Sequence, residues 1–439
     1  MSVRLALTIL VASLAAYAEA SPFIPGEPQK QPIALVGGTI HPVEGPTIER
    51  GTLLFDKGKI VAVGKDVKLP PGTETIDVRG KHVYPGMFDA NTQVGLLEIS
   101  AVRATRDTRE TGTINPNVKA LVAVNPDSEI IPVARSGGVL TVLTAPTGGL
   151  ISGVSAVIHL DGWTYEDMSV SAAAGLHVHW PRRPRIVPEA KVAKERNERR
   201  QRDLDAISEA FADARAYAKA QVAAKQAGTA AKHDSRWEAM LPVLAGRVPV
   251  IVHADAVDQI QAAVAFAVQE NVRLIILGGY DSPLCAELLK KHKVPVIVEG
   301  VHRLPQRRDD AYDAPFTLPQ RLREAGVAFC IAGNDRLGNE RNLPYDAATA
   351  AAHGLPRDAA LRSVTLAPAE ILGVADRIGS LVPGKEATLI VTDGDLLEIT
   401  TRVERAYITG RRVDLTDKQK LLWKKYREKY RRLRAKPPS

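Results

Sequence analysis

Short runs of Val, Ile and Leu alternate with alanine-rich amphipathic segments through the middle of the chain. Five runs are predicted to be buried strands: GGVLTVLTA, VPVIVHAD, VRLIILGG, VPVIVEG and VAFCIAGND. Between them, DQIQAAVAFAVQ and AELLKKH show helical spacing of apolar positions. This alternation predicts an α/β fold with a parallel sheet covered on both faces. A closed (β/α) barrel and an open doubly wound sheet both satisfy the pattern. Because the strands are not followed by glycine-rich phosphate fingerprints, a nucleotide-binding sheet is disfavoured.

The two ends of the chain show a different pattern, which is typical of hairpins. Near the start, IALVGGTIHPV precedes GTLLFDKGKIVAVG, in which residues 56–59 (DKGK) form the predicted turn. Near the end, GKEATLIVTDGD and VERAYITGRRVDL repeat this arrangement, with a turn at Thr409-Gly410. We therefore predict one small β-sandwich domain built from both flanks of a larger inserted domain.

A long charged segment interrupts the strand pattern between residues 182 and 233. Within it, Leu204, Ile207, Phe211 and Tyr217 keep roughly helical spacing. The segment is therefore predicted to form an amphipathic helix on the outside of the core, with its charges on the solvated face.

The first 21 residues, MSVRLALTILVASLAAYAEAS, contain one arginine, an apolar run, and Ala18-Glu19-Ala20 before a serine. This pattern predicts a signal peptide over residues 1–20, followed by a Pro-rich linker over 21–32. The alternative, a short membrane anchor, needs roughly 20 apolar residues. We expect an exported protein, either periplasmic or secreted.

The expected domain boundaries follow from these patterns. Residues 33–86 and 380–415 form the two parts of the β-sandwich, residues 87–379 form the barrel, and residues 416–439 form a basic helical tail. With 439 residues and 45% hydrophobic content, the chain is long and apolar enough for a large core.

The net charge of +8 belongs to the tail. Residues 416–439 contain ten Lys or Arg and two acidic residues, so the rest of the chain sums to about zero. Within the tail, Trp423, Tyr426, Tyr430 and Leu433 recur at intervals of three and four and form an aromatic stripe on a basic helix. Three interpretations remain: docking on the protein's own body or a second subunit, contact with an anionic membrane surface, and nucleic-acid binding. Export argues against nucleic acid.

Candidate chemistry lies where the apolar runs end, because parallel α/β folds place their sites at the carboxyl ends of the strands. The residues there are His177, His179, His253, His302 and Asp335. Nucleophilic serine or cysteine chemistry is not indicated, because ISGVSAV lacks the G-x-S-x-G spacing and burial of a cysteine within a strand keeps it inert.

Two stretches resemble the amidohydrolase superfamily, and in particular the imidazolonepropionase-like amidohydrolases. The stretch PGMFDANTQVG resembles that family's first barrel strand, PG-x-x-D-x-H-x-H-x-G, and AALRSVTLAPAEILGVADRIGSLVPGKEATLIVTDGD resembles its closing helix and return to the β domain. The resemblance spans nearly all of the mature chain except the tail. It implies a (β/α)8 TIM-like barrel and a hydrolase that uses metal-activated water.

The same resemblance implies that His253 is the histidine after strand five and Asp335 the aspartate after strand eight. This chain departs from the family at two places. Strand one carries the amides Asn91 and Gln93 where the family has its metal-binding histidines, and strand six, LIILGGYD, has no histidine. Amide oxygens are weaker ligands for Zn²⁺ or Fe²⁺ than imidazole or carboxylate, so the strand-one metal motif is degenerate.

A substitute metal site is one hypothesis. His177 and His179 alternate on a predicted strand, so both imidazoles point to one face. If that face is the barrel interior, they could join His253 and Asp335 as ligands of one divalent metal, Zn or Fe. The alternative is that the pair lies on a loop or outer strand and packs beside Trp180.

The remaining site residues have two interpretations each. Asp335 is predicted to act as general base and later to protonate the leaving amine, or else to be a turn carboxylate. His302 could bind substrate or cap a helix. Asn91 and Gln93 are expected to be polar walls of the pocket.

The sequence therefore predicts a hydrolase acting on non-peptide C–N bonds of a small-molecule substrate, with a reduced metal site. The alternative is a non-catalytic binding or scaffold protein that retains the barrel without the metal. No nucleic-acid partner is expected. Homo-oligomer formation and contact of the tail with a membrane surface or a subunit are compatible with the sequence.

Overall fold

A computed structural model describes residues 21–183, 189–334 and 338–435, with nothing stated of the Ala435 side chain. The predicted signal peptide over residues 1–20 and Asp335 lie outside the described residues. The elements, contacts and distances of the fold and the site all lie within the described residues.

The strands form two sheets of eight. Their bounds are β1 Ile33–Ile40, β2 Ile48–Asp56, β3 Lys59–Gly64, β4 Glu74–Asp77, β5 His82–Pro85, β6 Met87–Thr92, β7 Val139–Thr144, β8 Ile151–His159, β9 Ser169–His179, β10 Val250–Ala254, β11 Leu274–Gly278, β12 Val296–Glu299, β13 Phe329–Ala332, β14 Leu389–Thr392, β15 Val403–Ile408 and β16 Arg411–Val413.

The helices are concentrated after β9. Their bounds are α1 Ile130–Ser136, α2 Tyr165–Met168, α3 Ala190–Gln226, α4 Ser235–Leu244, α5 Val257–Glu270, α6 Ala286–Lys291, α7 Ala314–Glu324, α8 Leu343–Ala352, α9 Arg357–Ser363, α10 Leu366–Ile371 and α11 Lys418–Ala435, with short 3₁₀ turns at Arg103–Thr105, Ala120–Ala123, Ser282–Cys285 and Glu340–Asn342. The predicted exterior helix is confirmed as α3, in which Ile207, Phe211 and Tyr217 are buried.

The barrel sheet runs from β6 to β13 in chain order. All five strands predicted from apolar runs are present as β7 and β10–β13. Alternate positions face opposite sides: Val250 and Val252 pack with residues of α3–α5 outside, whereas Ile251 packs with Leu277 and other residues of neighbouring strands inside. The result is a nearly closed eight-stranded barrel, as the barrel prediction required.

One barrel strand departs from the expected parallel pattern. Strand β8 pairs antiparallel with both β7 and β9, while the other neighbouring strands pair parallel. The physical reason is the β7–β8 connection, residues 145–150, in which Gly148 and Gly149 have positive φ. A parallel crossover needs about a dozen residues or more, so this short connection makes a hairpin.

The two flanks of the barrel meet in the second sheet. Its order is β16-β15-β14-β5-β1-β2-β3, with β4 also paired to β1, and the antiparallel pairing of β14 with β5 joins the C-terminal flank to the N-terminal one. Both predicted hairpin turns are confirmed, with Lys57, Gly58, Thr409 and Gly410 at positive φ. The β-sandwich is not confirmed, because these strands belong to one hydrogen-bonded sheet.

A buried ion pair connects the barrel to the flanking segments. The Arg135 Nη1 atom of α1 donates to the Asp161 carboxylate at 2.9 Å, and both side chains are almost fully buried. Asp161 also accepts from the Gly26 backbone N–H and lies 3.4 Å from the Arg411 guanidinium of β16. Burial raises the pKa of Asp161 and lowers that of Arg135, because desolvation disfavours both charged forms. The attraction between the two charges offsets this desolvation cost.

The tail is a helix, as predicted, but it does not pack along the body. The side chains of Trp423, Tyr426, Tyr430 and Leu433 are all exposed. Docking of this stripe on the protein's own body is therefore wrong. None of the helices in the described residues is both long enough and apolar enough to cross a membrane.

The buried pair leads to a stability prediction. Replacing Arg135 by methionine leaves the Asp161 carboxylate buried and short of its main partner, so we expect the Arg135→Met variant to lose about 3–5 kcal/mol of unfolding free energy. Urea unfolding followed by circular dichroism measures the loss.

The matched control is Arg79→Met, which removes an exposed pair with Asp77 and should lower the unfolding free energy far less, because solvent screens this pair. Equal losses in the two variants would contradict the role given to Arg135.

Candidate active site

Three histidines meet inside the barrel, near the carboxyl ends of two neighbouring strands. In β9, Leu176 and Val178 face the outer helices, so His177 and His179 face inward. The parallel pairing of β9 with β10 places His179 directly beside His253. The structure therefore puts the His177–His179 pair on the interior face that the metal hypothesis required.

The three imidazoles contact one another directly. His177 Nδ1 lies 2.9 Å from His253 Nε2, and the ring of His179 stacks on that of His253 with centroids 4.0 Å apart. The Nε2 atoms of His177 and His179 are buried without a hydrogen-bond partner among the described residues. We name these three residues the histidine cluster.

Burial keeps the histidine cluster neutral. It lowers the pKa of His177 to about 3 and also lowers the pKa values of His179 and His253. Desolvation is the largest cause for each, and neighbouring imidazoles add to it at His177 and His253. At neutral pH these side chains are proton acceptors and ligands rather than cations.

The other predicted pocket residues are placed less centrally. Asn91 is buried at the end of β6, and Gln93 follows that strand, partly buried. His302 is tied to α8, with Nε2 2.7 Å from Thr349 Oγ1 and Nδ1 3.4 Å from the Asp346 carboxylate. These contacts favour the structural interpretation of His302.

The structure adds Asp89, which sequence reasoning treated only as part of a motif. Its Oδ1 accepts from the Gly333 backbone N–H at 3.0 Å and from the Asn91 N–H at 3.2 Å. Burial raises the pKa of Asp89 to about 8, so the carboxyl group is largely protonated at neutral pH. Asp89 of β6 is thus hydrogen-bonded to Gly333, which follows β13 and precedes Asp335 by two residues. The signal was available: an acid inside an apolar strand is rarely without a specific role.

Arg303 is a second residue that the sequence did not single out. Its Nη1 lies 3.4 Å from the Asp255 carboxylate, two residues after His253, and its guanidinium lies over the Tyr280 ring. The Nε and Nη2 atoms are buried without a partner among the described residues. A guanidinium with free donors at this edge is suited to a carboxylate or carbonyl oxygen of a ligand.

A surface cavity of about 660 Å³ lies at the opposite end of the strands. Pro249, Leu274, Pro295 and Ala328, at or just before the starts of β10–β13, line it. Because barrel chemistry is placed at the carboxyl ends, the histidine cluster and not this cavity marks the candidate active site.

Comparison with known proteins agrees with this architecture. The model of the amidohydrolase family matches residues 205–413, which include β10–β16. The amidohydrolase tasK of Hapsidospora irregularis is 23% identical over 387 residues, covering 82% of this chain and 39% of that protein. The chain thus spans about two fifths of the length of that relative.

Two further relatives are matched over most of their own length. An imidazolonepropionase of Mesorhizobium japonicum is 26% identical over 379 residues, covering 79% of this chain and 87% of that protein. The crystal structure of an amidohydrolase from Thermotoga maritima is 29% identical, with a TM-score of 0.78 over 87% of this chain and 99% of that one. The resemblance to the amidohydrolase superfamily is confirmed.

The raised pKa of Asp89 predicts a pH-dependent stability. Between about pH 4 and pH 8 the unfolded chain loses the Asp89 proton while the folded chain keeps it, so this group makes the fold less stable as pH rises. We expect Asp89→Asn to gain stability relative to the unsubstituted protein over this range, by up to about 1.4 kcal/mol per pH unit. Urea unfolding at a series of pH values measures the difference.

Asp77→Asn is the control, because Arg79 lowers the pKa of this exposed carboxylate to about 2. That variant should show no gain with rising pH. A stability difference for Asp89→Asn that does not change with pH would show that Asp89 is ionised in the fold.

Proposed function

We propose that this chain, which resembles the amidohydrolase superfamily, hydrolyses a non-peptide C–N bond of a small molecule at the histidine cluster. The observation that carries the proposal is the cluster itself: three neutral imidazoles on the inner face of an amidohydrolase barrel, two with a buried nitrogen that lacks a partner. The relatives named as amidohydrolases and imidazolonepropionase support this reaction class.

The residues of the site differ from the usual ligands of the family's divalent metal. In the described chain no three His, Cys, Asp or Glu side chains are placed as a metal-binding group, and Asn91 and Gln93 occupy the strand-one positions. The donors are nevertheless of the right chemistry for one ion, since neutral imidazole is the form that binds Zn²⁺. For all three histidines to bind it, the contact between His177 and His253 must open, which costs about 0.5–1.5 kcal/mol.

The histidine cluster therefore fits a single divalent ion as a donor set, with His177, His179 and His253 as the ligands and Asp335 as a further one. When bound, such an ion supplies Lewis acidity, which polarises a carbonyl group and lowers the pKa of water.

The chain's own residues supply the remaining tasks. Asp335 is proposed as the general base that deprotonates water and later protonates the leaving amine. Arg303 is proposed to bind the substrate's oxygen atoms, and its pairing with Asp255 fixes its position beside the site.

A second function has its own supporting observation. The hydrogen bond between His177 and His253 and the stacking of His179 on His253 hold the three rings together without a metal. Together with the amides Asn91 and Gln93, this favours a non-catalytic protein that binds a small molecule in the barrel mouth.

Metal content separates the two functions. We expect about one Zn, Fe or Mn per chain by plasma mass spectrometry, in protein purified without chelators or a histidine tag. The double variant His177→Ala/His253→Ala should lose the metal and at least about tenfold of any amide, lactam or cyclic-imide hydrolysis. The control His233→Ala, at an exposed position, should keep both.

Absence of both metal and hydrolysis would favour the second function. Protein that stays metal-free after incubation with Zn²⁺, Fe²⁺ or Mn²⁺, and that hydrolyses none of these substrates, would overturn the hydrolase proposal in favour of the binding protein.

A further inference from the structure

Helix α11 carries an apolar stripe that the protein leaves uncovered. The stripe consists of Trp423, Tyr426, Tyr430 and Leu433, with relative exposures of 59%, 47%, 58% and 52%. At 100° per residue these side chains, together with Leu422, fall within an arc about 100° wide, the width of an apolar face that normally packs against something. The stripe therefore points to a partner that is absent from the structure.

The helix is fixed to the body only near its start. The buried Asp417 accepts a hydrogen bond from the Lys420 N–H at 2.7 Å and so caps the first turn. From Lys424 to Arg434 the described side chains are exposed, except the half-buried Glu428. The stripe is thus displayed on a helix that follows β16 of the second sheet and whose side chains are exposed beyond its first turn.

The rest of the helix surface is basic. Residues 418–435 contain nine Lys or Arg and one acid, Glu428. Arg431 and Arg432 each donate to the Glu428 carboxylate at 2.8 Å, so this negative charge is already paired within the helix. The partner must therefore combine a negative surface with an apolar layer.

Cations also border the stripe itself. The Arg427 guanidinium lies 4.3 Å from the Trp423 ring centroid, and the Lys429 ammonium lies 5.9 Å from that of Tyr426. Aromatic rings with cations beside them are suited to the boundary between lipid headgroups and acyl chains, where the rings enter and the charges stay among phosphates.

We propose that α11 lies on anionic phospholipid bilayers, with this stripe in the interface and its basic face among the headgroups. A second copy of the helix is a poorer partner, because pairing two stripes would bring two helices of net charge +8 together. Nucleic acid matches the charge, but Leu422 and Leu433 offer no ring on which bases stack. The proposal does not depend on the barrel chemistry.

Co-sedimentation of the full chain with vesicles tests the proposal. We expect binding to vesicles of phosphatidylcholine mixed with phosphatidylglycerol, and at least about tenfold weaker binding to phosphatidylcholine alone. Binding should weaken as NaCl is raised, because salt screens the attraction. The triple variant Trp423→Ser/Tyr426→Ser/Tyr430→Ser keeps every charge and should bind the mixed vesicles at least about tenfold more weakly.

The matched control is Trp163→Ser/Tyr312→Ser, which removes two aromatic side chains that are exposed elsewhere. It should bind like the unsubstituted chain. All variants share residues 1–20, so vesicle binding by that segment cancels from the comparison. Equal circular dichroism spectra and thermal midpoints show that the variants are folded.

Three outcomes would overturn the proposal. The triple variant could bind mixed vesicles as tightly as the control does. The unsubstituted chain could fail to bind vesicles and instead form a dimer in sedimentation velocity, while the triple variant stays monomeric. The unsubstituted chain could also fail to bind vesicles and instead bind a single-stranded oligonucleotide through the stripe.

Discussion

The contact between the Asp89 carboxyl and the Gly333 backbone N–H determines how the candidate site is assembled. Strands β6 and β13 lie at the two ends of the barrel sheet and share no ladder pairing among the described residues. The 3.0 Å hydrogen bond to Asp89 spans this gap. A side chain at residue 333 would place its Cβ 2.6 Å from Asp89 Oδ2, so only glycine allows the approach. Closure thus depends on a neutral buried acid and a glycine facing each other.

The histidine cluster depends on a different constraint, the register between β9 and β10. His179 is opposite His253, and His177 is opposite Ile251, two positions earlier on both strands. Because side chains alternate between the two faces of a strand, His177 faces the interior as His179 does. The antiparallel strand β8 lies between β7 and β9, and β9 pairs directly with β10. The histidines near the end of β9 therefore contact His253 of β10. The family places metal-binding histidines on strand one, where this chain has amides. This chain thus has amides, Asn91 and Gln93, at one part of the barrel wall and three imidazoles together at another.

Sequence patterns predicted the elements that local periodicity determines. The apolar runs, the two hairpin turns and helix α3 were all found where expected, because each follows from spacing within a few residues. Strand β8 was missed because Ser152, Gly153 and Ser155 interrupt its apolar run, although every residue from Ile151 to His159 is buried in the fold. The single flank sheet, the contact of His177 with His253 and the closure by Asp89 depend on pairing between distant segments. The local residue pattern of a single sequence does not show such pairings.

The distribution of charge separates the barrel from the tail. Outside residues 416–439 the charges sum to about zero, and two acids at the barrel mouth are paired with arginines: Asp255 with Arg303 and Asp281 with Arg307. The attraction to an anionic bilayer that we propose for α11 therefore rests on the charge of the tail, whereas the proposed recognition at the mouth depends on short-range contacts that salt screens little. Raising the ionic strength should thus release the helix from its surface while leaving ligand binding in the barrel intact.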